Sequence, residues 1–271
     1  MKALTFKVKF ITAQFKDHLS KLSRKTYIIP PPSSVAGIFG AIVGLDRKSL
    51  AIVSKELLAG AQIISLGGRA VTLARLYKFD RSGKELAKLV KKYYEDKNAV
   101  LKDIRELLTI KESEELYSPE YKLAVASSNE SLIDNAFKRI RNYDFEYDVF
   151  GGNDYHFVEF IGEPRLAEVK KSREGYGYCP SKYFERIEAQ SFAVVYNKDS
   201  IQELVTYPLV IPVMFLANVN EEFLQVYGAK VILNKEIDVV DDGESKIFVY
   251  NVGPFLSMWI KKFKTNLCDV K

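Results

Sequence analysis

The sequence predicts an α+β fold with elements in the order βαββαβ, the order of ferredoxin-like and RRM-type domains. Three observations predict it. A strictly alternating first strand leads into a glycine-bearing apolar helix. Strand patterns then return on either side of a helical stretch at 84–108. A later helix, 132–140, is followed by further strand patterns. Residues 1–163 carry this order, with an insertion at about 80–118, and residues 164–271 read as a small β-rich C-terminal region. With 271 residues and 47% hydrophobic content, the chain is long enough to bury a sizeable core.

Leu4, Phe6, Val8 and Phe10 alternate with Thr5, Lys7 and Lys9, the two-residue period of a strand. Residues 12–27 are polar and read as a surface loop holding Lys16, Lys21, Arg24 and Lys25. Pro30, Pro31 and Pro32 force an extended approach to the next helix, with Ser33 as its expected N-cap. Val35, Ile38, Phe39 and Ile42 form that helix's apolar stripe, and Gly37, Gly40 and Gly44 recur along one side. Each interior glycine costs up to about 1 kcal/mol relative to alanine. A closely approaching backbone, of protein or of nucleic acid, is the expected reason for them.

Residues 47–59 read as a second helix capped by Gly60. Strands are expected at 61–66, 70–79 and 121–126. At 143–149, Tyr143, Phe145, Tyr147 and Val149 alternate with acids, which predicts a strand with an acidic exposed face. A glycine turn at 151–154 and a strand at 157–161 follow. Beyond Pro164, strands are expected at 192–196, 209–215, 230–240 and 246–252, with Asp242-Gly243 as a hairpin turn.

The net charge is +5, but residues 1–81 hold 14 Lys/Arg against 4 Asp/Glu, a net of +10. Such asymmetry points to a polyanionic partner on the N-terminal side. Only two cysteines, Cys179 and Cys268, are present, which excludes a disulfide framework and suits a reducing compartment. The N-terminus lacks signal-peptide character, and the uncharged stretch 204–219 is interrupted by Pro208 and Pro212. A soluble, cytoplasmic protein with no membrane contact is expected.

No phosphate-binding loop, serine elbow, zinc-protease helix or paired-cysteine motif is present, and no cofactor or metal is expected. Asp238, Asp241, Asp242 and Glu244 lie at the hairpin tip and read as a solvated turn rather than a calcium site. His18, near Lys16 and Lys21, has the residue types of a metal-free nuclease; the plainer reading is an exposed loop histidine. His156 reads as a strand-edge histidine with a structural hydrogen bond. Residues 173–183 interleave Tyr176 and Tyr178 with glycines and cations. That pattern suits single-stranded nucleic acid, or a long loop whose tyrosines pack on the core.

The first strand, the loop with Phe15 and its cations, and the run Tyr27-Ile28-Ile29-Pro30-Pro31-Pro32-Ser33-Ser34 leading to Gly37, Gly40 and Gly44 together resemble the CRISPR-associated Cas-five family. The resemblance is most like the subtype I-B branch, covers residues 1–59 well and is supported by the 143–163 stretch. It implies an RRM-like palm with a thumb-like, partly helical insertion. It also implies a subunit of the Cascade surveillance complex that grips and caps the 5′ handle of the crRNA. Cas-seven and Cas-eight type subunits would be its neighbours, and target DNA would be met only indirectly. One branch of the family, in subtype I-C, is a metal-independent endoribonuclease using Tyr, Lys and His. Its tyrosine position matches Val43 here, so a non-catalytic subunit is expected, with repeat-RNA cleavage as the alternative. On this reading Lys16, Arg24 and Lys25 hold the handle backbone together with the helix start at Ser33 and Ser34. Gly37 and Gly40 admit a close approach, and Tyr27, Tyr176 and Tyr178 are the candidates for base stacking.

Overall fold

The computed structural model of the chain describes residues 1–17, 20, 23–77, 83–96, 108–153, 155–189, 209–215 and 221–256. In chain order, β1 (Lys2–Phe10) is followed by the short strands β2 (Thr12–Ala13), β3 (Phe15–Lys16) and β4 (Thr26–Tyr27). Helices α1 (Pro32–Val43) and α2 (Arg47–Val53) come next, then β5 (Leu57–Ser65) and β6 (Gly68–Tyr77). After α3 (Gly83–Glu95) come β7 (Leu108–Tyr117), β8 (Glu120–Ser127) and α4 (Glu130–Asn142). The remainder is strand-rich: β9 (Val158–Pro180), β10 (Phe184–Ala189), β11 (Leu209–Met214), β12 (Glu222–Asp241), β13 (Lys246–Phe248) and β14 (Tyr250–Asn251).

β1 lies at the centre because its alternation leaves Leu4, Phe6, Val8 and Phe10 fully buried on one face. It pairs antiparallel with β8 on one side and β9 on the other, so Leu4 faces Val125 and Leu166. β5 adds antiparallel to the far edge of β8, giving the order β9-β1-β8-β5. Val35, Phe39 and Ile42 of α1 join Ile133, Ala136 and Ile140 of α4 in the core against β1. Asn129 caps α4 by accepting from the Leu132 N–H, as its sequence pattern requires.

β9 is the long element that unites the molecule. Its first half pairs with β1 and its second half with β12, from Glu168 opposite Asp241 to Pro180 opposite Phe223. The expected boundary after residue 163 falls inside this strand. The β12–β13 turn folds back over the second face of β1. There Asp242 is ion-paired to Lys122 at 2.5 Å and accepts from the Thr5 hydroxyl at 2.6 Å. Burial pushes the Asp242 pKa up, but Lys122, Thr5 and the backbone N–H groups of Ser245 and Glu244 outweigh it, leaving about 2. The acidic hairpin tip is therefore an anchored turn, not the solvated one expected, because only tertiary contact supplies its cation.

Other expectations are corrected by packing. α2 ends at Val53, and the strand expected at 61–66 begins earlier, at Leu57, so residues 57–59 are strand rather than helix. Gly60 is no helix cap: a Cβ there would come within 1.9 Å of the Phe248 carbonyl oxygen. The 143–149 segment forms no strand; Tyr143 takes φ 55° and closes α4, and the chain then runs along α1. Residues 12–27 are not simply a surface loop, since β2 joins β7 and β3 pairs with β4. Residues 173–180 are the end of β9 and 181–183 a single 3-10 turn, so the segment is not a long loop, although Tyr178 does pack in the core. Gly177 is there for its φ of 102° and for the Ala61 carbonyl oxygen, which a Cβ would meet at 2.3 Å. The helix expected at 84–108 is seen as α3; residues 97–107 and the expected strand at 192–196 lie outside the described residues. No helix among the described residues is long and apolar enough to cross a membrane.

Candidate nucleic-acid interface

The candidate site is built around the chain that leads from β4 into α1. Residues 28–31 belong to neither helix nor strand, so their peptide groups have no ladder to join. They are nonetheless buried, and a buried peptide group without a partner costs about 1–3 kcal/mol. Three distant side chains satisfy them. The Gln225 carbonyl oxygen accepts from the Ile28 N–H at 3.1 Å and the Ile29 N–H at 3.4 Å. The Tyr121 hydroxyl donates to the Ile28 carbonyl at 2.7 Å, and the Tyr178 hydroxyl donates to that of Ile29. Burial raises the pKa of both phenols well above the ordinary tyrosine range, keeping them neutral donors.

This geometry corrects two of the stacking candidates. Tyr178 is 2% exposed and Tyr27 is 3% exposed, so neither ring can receive a base. The Tyr27 hydroxyl donates to the Met214 carbonyl at 3.1 Å and to Asp17 at 3.3 Å. Their role is to fix the backbone on which the basic residues stand. Tyr176 is half-buried and lies elsewhere, in a recess with Glu174, Lys230 and Lys246.

Lys16 and Lys25 lie beside each other's strands, because β3 and β4 pair Lys16 with Thr26 and Phe15 with Tyr27. Arg24 is held from behind: its N–H donates to the Glu112 carbonyl at 2.7 Å, and its carbonyl accepts from Glu114 at 2.8 Å. Buried Gln14 braces the same point, donating to Ser113 Oγ at 2.7 Å and accepting from Asn153 at 3.0 Å. Lys16 and Lys25 are exposed, and with Arg24 they form no ion pair among the described residues. The basic residues of β1 differ. Lys2, Lys7 and Lys9 are paired to Asp134, Glu163 and Glu159, so they add little free charge. Among the described basic residues of 1–81, Lys16, Arg24 and Lys25 on the β3–β4 loop make no ion pair, and neither do Lys48 and Lys55 in and after α2.

The start of α1 is less generous to anions than its sequence suggests. Its N-cap is Pro31 rather than Ser33, and no side chain caps it. Pro32 has no N–H, and the Ser34 N–H donates to the Pro31 carbonyl at 2.8 Å. The Ser33 N–H and the half-exposed Ser33 and Ser34 hydroxyls are what remains. Gly37 is exposed, and a Cβ there would meet nothing within 4 Å. Gly40 is buried within the chain, its open side filled by Leu50 of α2 at 3.6 Å, so it cannot touch a ligand backbone.

His156 is fully buried and its Nδ1 is 2.7 Å from the Thr12 hydroxyl, the structural hydrogen bond expected. Burial lowers its pKa to about 4. His18 lies outside the described residues. Among the described residues no cluster of His, Cys, Asp and Glu could hold a metal ion.

The sequence reading missed Gln14, Tyr121 and Gln225. Their only signal was a polar group within an apolar strand pattern. Comparison with known proteins adds the family. The model for CRISPR-associated protein (Cas_Cas5) matches residues 3–211. No curated protein matches the chain. Among solved structures, the chain is similar to a CRISPR protein from Archaeoglobus fulgidus at 11% identity and TM-score 0.46, covering 93% of this chain and 99% of that one. It is also similar to a chain of a CRISPR RNA-guided surveillance complex at 13% identity and TM-score 0.43, covering 85% and 91%. With the family model spanning well over half of its length, the chain belongs to the CRISPR-associated Cas5 family.

Proposed function

We propose that the protein is a non-catalytic crRNA-binding subunit of a type I Cascade complex, of the I-B branch, that grips and caps the crRNA 5′ handle. In this reading β9-β1-β8-β5 with α1 and α4 is the ferredoxin-like, RRM-type palm, and the β6–α3–β7 excursion is the thumb. Cas-seven and Cas-eight type subunits flank it, and it meets target DNA only through them. The observation that carries the reading is the trio Lys16, Arg24 and Lys25. These cations are held on a braced loop beside the helix lead-in and have no ion pair among the described residues, in a chain of this family. Phosphate contacts of this kind hold a strand without reading its bases.

Handle RNA binding by the wild type and by Lys16→Ala/Arg24→Ala/Lys25→Ala tests it. The triple variant is expected to bind more weakly whatever the handle sequence. Its log–log salt slope should be shallower by about 2, at about 0.7 per lost contact. Unchanged affinity and slope would overturn the reading. The non-catalytic part is tested separately with repeat RNA in EDTA, which should remain intact. Cleavage lost in His18→Ala or His156→Ala would replace this proposal by the endoribonuclease. The burial of His156 supports the non-catalytic reading, since a general base must reach its proton.

A further inference from the structure

At the opposite end of α1 the chain forms a groove of about 330 Å³. Tyr143, Phe145, Tyr147, Phe150 and Phe157 line it with one carboxylate, Asp148, and among the described residues no Lys or Arg lines it. Tyr143, Tyr147 and Phe157 are 63%, 50% and 57% exposed, a cost that folding alone does not explain. The walls are preformed. The Glu146 and Tyr147 N–H groups donate to the Ile42 and Ala41 carbonyls, and Phe150 and Phe157 are bridged across the far side.

We propose that this groove docks an arginine side chain presented by a partner protein. Charge complementarity selects the occupant. Arg139 already engages Glu146 at 2.9 Å and Asp144 at 3.8 Å, whereas exposed Asp148 has no ion pair among the described residues. The last turn of α1, which lies against this segment, carries no basic residue, and its dipole favours a cation there. A guanidinium stacks on aromatic faces and bonds a carboxylate through two N–H groups, which a lysine does not reproduce. An apolar anchor would bury Asp148 without a partner, and a nucleic-acid strand would meet the carboxylates of Asp144, Glu146 and Asp148.

The test titrates the full-length protein with a short peptide carrying two arginines and with the same peptide carrying citrulline, the neutral isostere. Aromatic side-chain NMR shifts are the readout. The arginine peptide is expected to bind and the citrulline peptide to bind at least about tenfold more weakly. Asp148→Asn and Phe157→Ala should each weaken the arginine peptide several-fold, with handle RNA affinity unchanged. The inference is overturned by equal binding of the two peptides, by absence of binding at millimolar peptide, or by an Asp148→Asn variant that binds normally. It is also overturned if a uridine oligonucleotide competes for the groove, or if a concentration-dependent dimer, lost in Phe157→Ala, already fills it.

Discussion

The two ends of α1 have opposite chemistry although about 18 Å separates them, at 1.5 Å per residue over twelve residues. At the N-terminal end the chain arrives extended through Pro30 and Pro31, is satisfied by buried phenols and an amide, and stands beside unpaired cations. At the C-terminal end Gly44 turns the chain at φ 84°, and the segment that returns along the helix carries rings and carboxylates. At each end the helix dipole has the same sign as the neighbouring side chains, so it adds to their pull on an anion at the first turn and on a cation at the last. The contrast teaches that one short helix separates a basic surface from one whose carboxylates repel phosphate. The loop containing His156 joins them: Thr12 and Gln14 take its hydrogen bonds on one side, and Phe157 follows it on the other.

Changes at these two ends can break that arrangement or sharpen it. The largest expected effect is at the lead-in. Gln225→Leu leaves the Ile28 and Ile29 N–H groups buried without an acceptor, and should cost about 3 kcal/mol in urea unfolding. It should also weaken RNA binding while leaving the aromatic groove competent. Acid should loosen both ends together. The folded pKa of His156 is about 4 against 6.5 for the free side chain, so the unfolded chain takes up the proton first as pH falls. Stability from this group is complete above pH 6.5 and declines toward pH 4. Unfolding free energy should drop by about 2 kcal/mol between pH 7 and 5, and a His156→Gln variant should show a flatter profile.

A smaller effect is expected at the helix exit. Gly44→Ala places a Cβ at positive φ and 2.8 Å from the Glu146 side chain. About 1–2 kcal/mol of stability should be lost, and arginine-peptide binding should suffer more than RNA binding. The smallest stability effects belong to the exposed charges. Lys16→Ala/Arg24→Ala/Lys25→Ala and Asp148→Asn should each stay within about 0.5 kcal/mol per substitution of wild-type stability. The first should affect only RNA binding and the second only the peptide. A cross-effect of either on the other ligand would show that the two ends are not independent.

Periodicity made much of the scaffold legible. β1, β8, α4 and the Asp242-Gly243 turn follow from alternation, helical spacing and turn chemistry, all local properties of a few neighbouring residues. The proline run and the basic loop were visible in the same way. What failed were readings of polar or glycine-rich stretches whose partners lie far away in sequence. Gly60 and Gly177 exist to admit another strand's carbonyl, and Tyr178 lends its hydroxyl to an extended segment about 150 residues away in sequence.

The sequence by itself determined the order of elements, the apolar face of β1 and α1, the proline-enforced approach to the helix and the concentration of positive charge before residue 82. These depend on backbone sterics and on the period with which side chains repeat, and both act within a few residues. Only the tertiary structure decided which charges remain free and which tyrosines are buried. Lys2, Lys7, Lys9 and Lys122 find their carboxylates on other elements of the fold, while among the described residues Lys16 and Lys25 find none. Ion pairing and burial are set by what the fold brings within a few ångströms, and a chain that closes its sheet through β9 brings together residues whose separation in sequence carries no trace of the meeting.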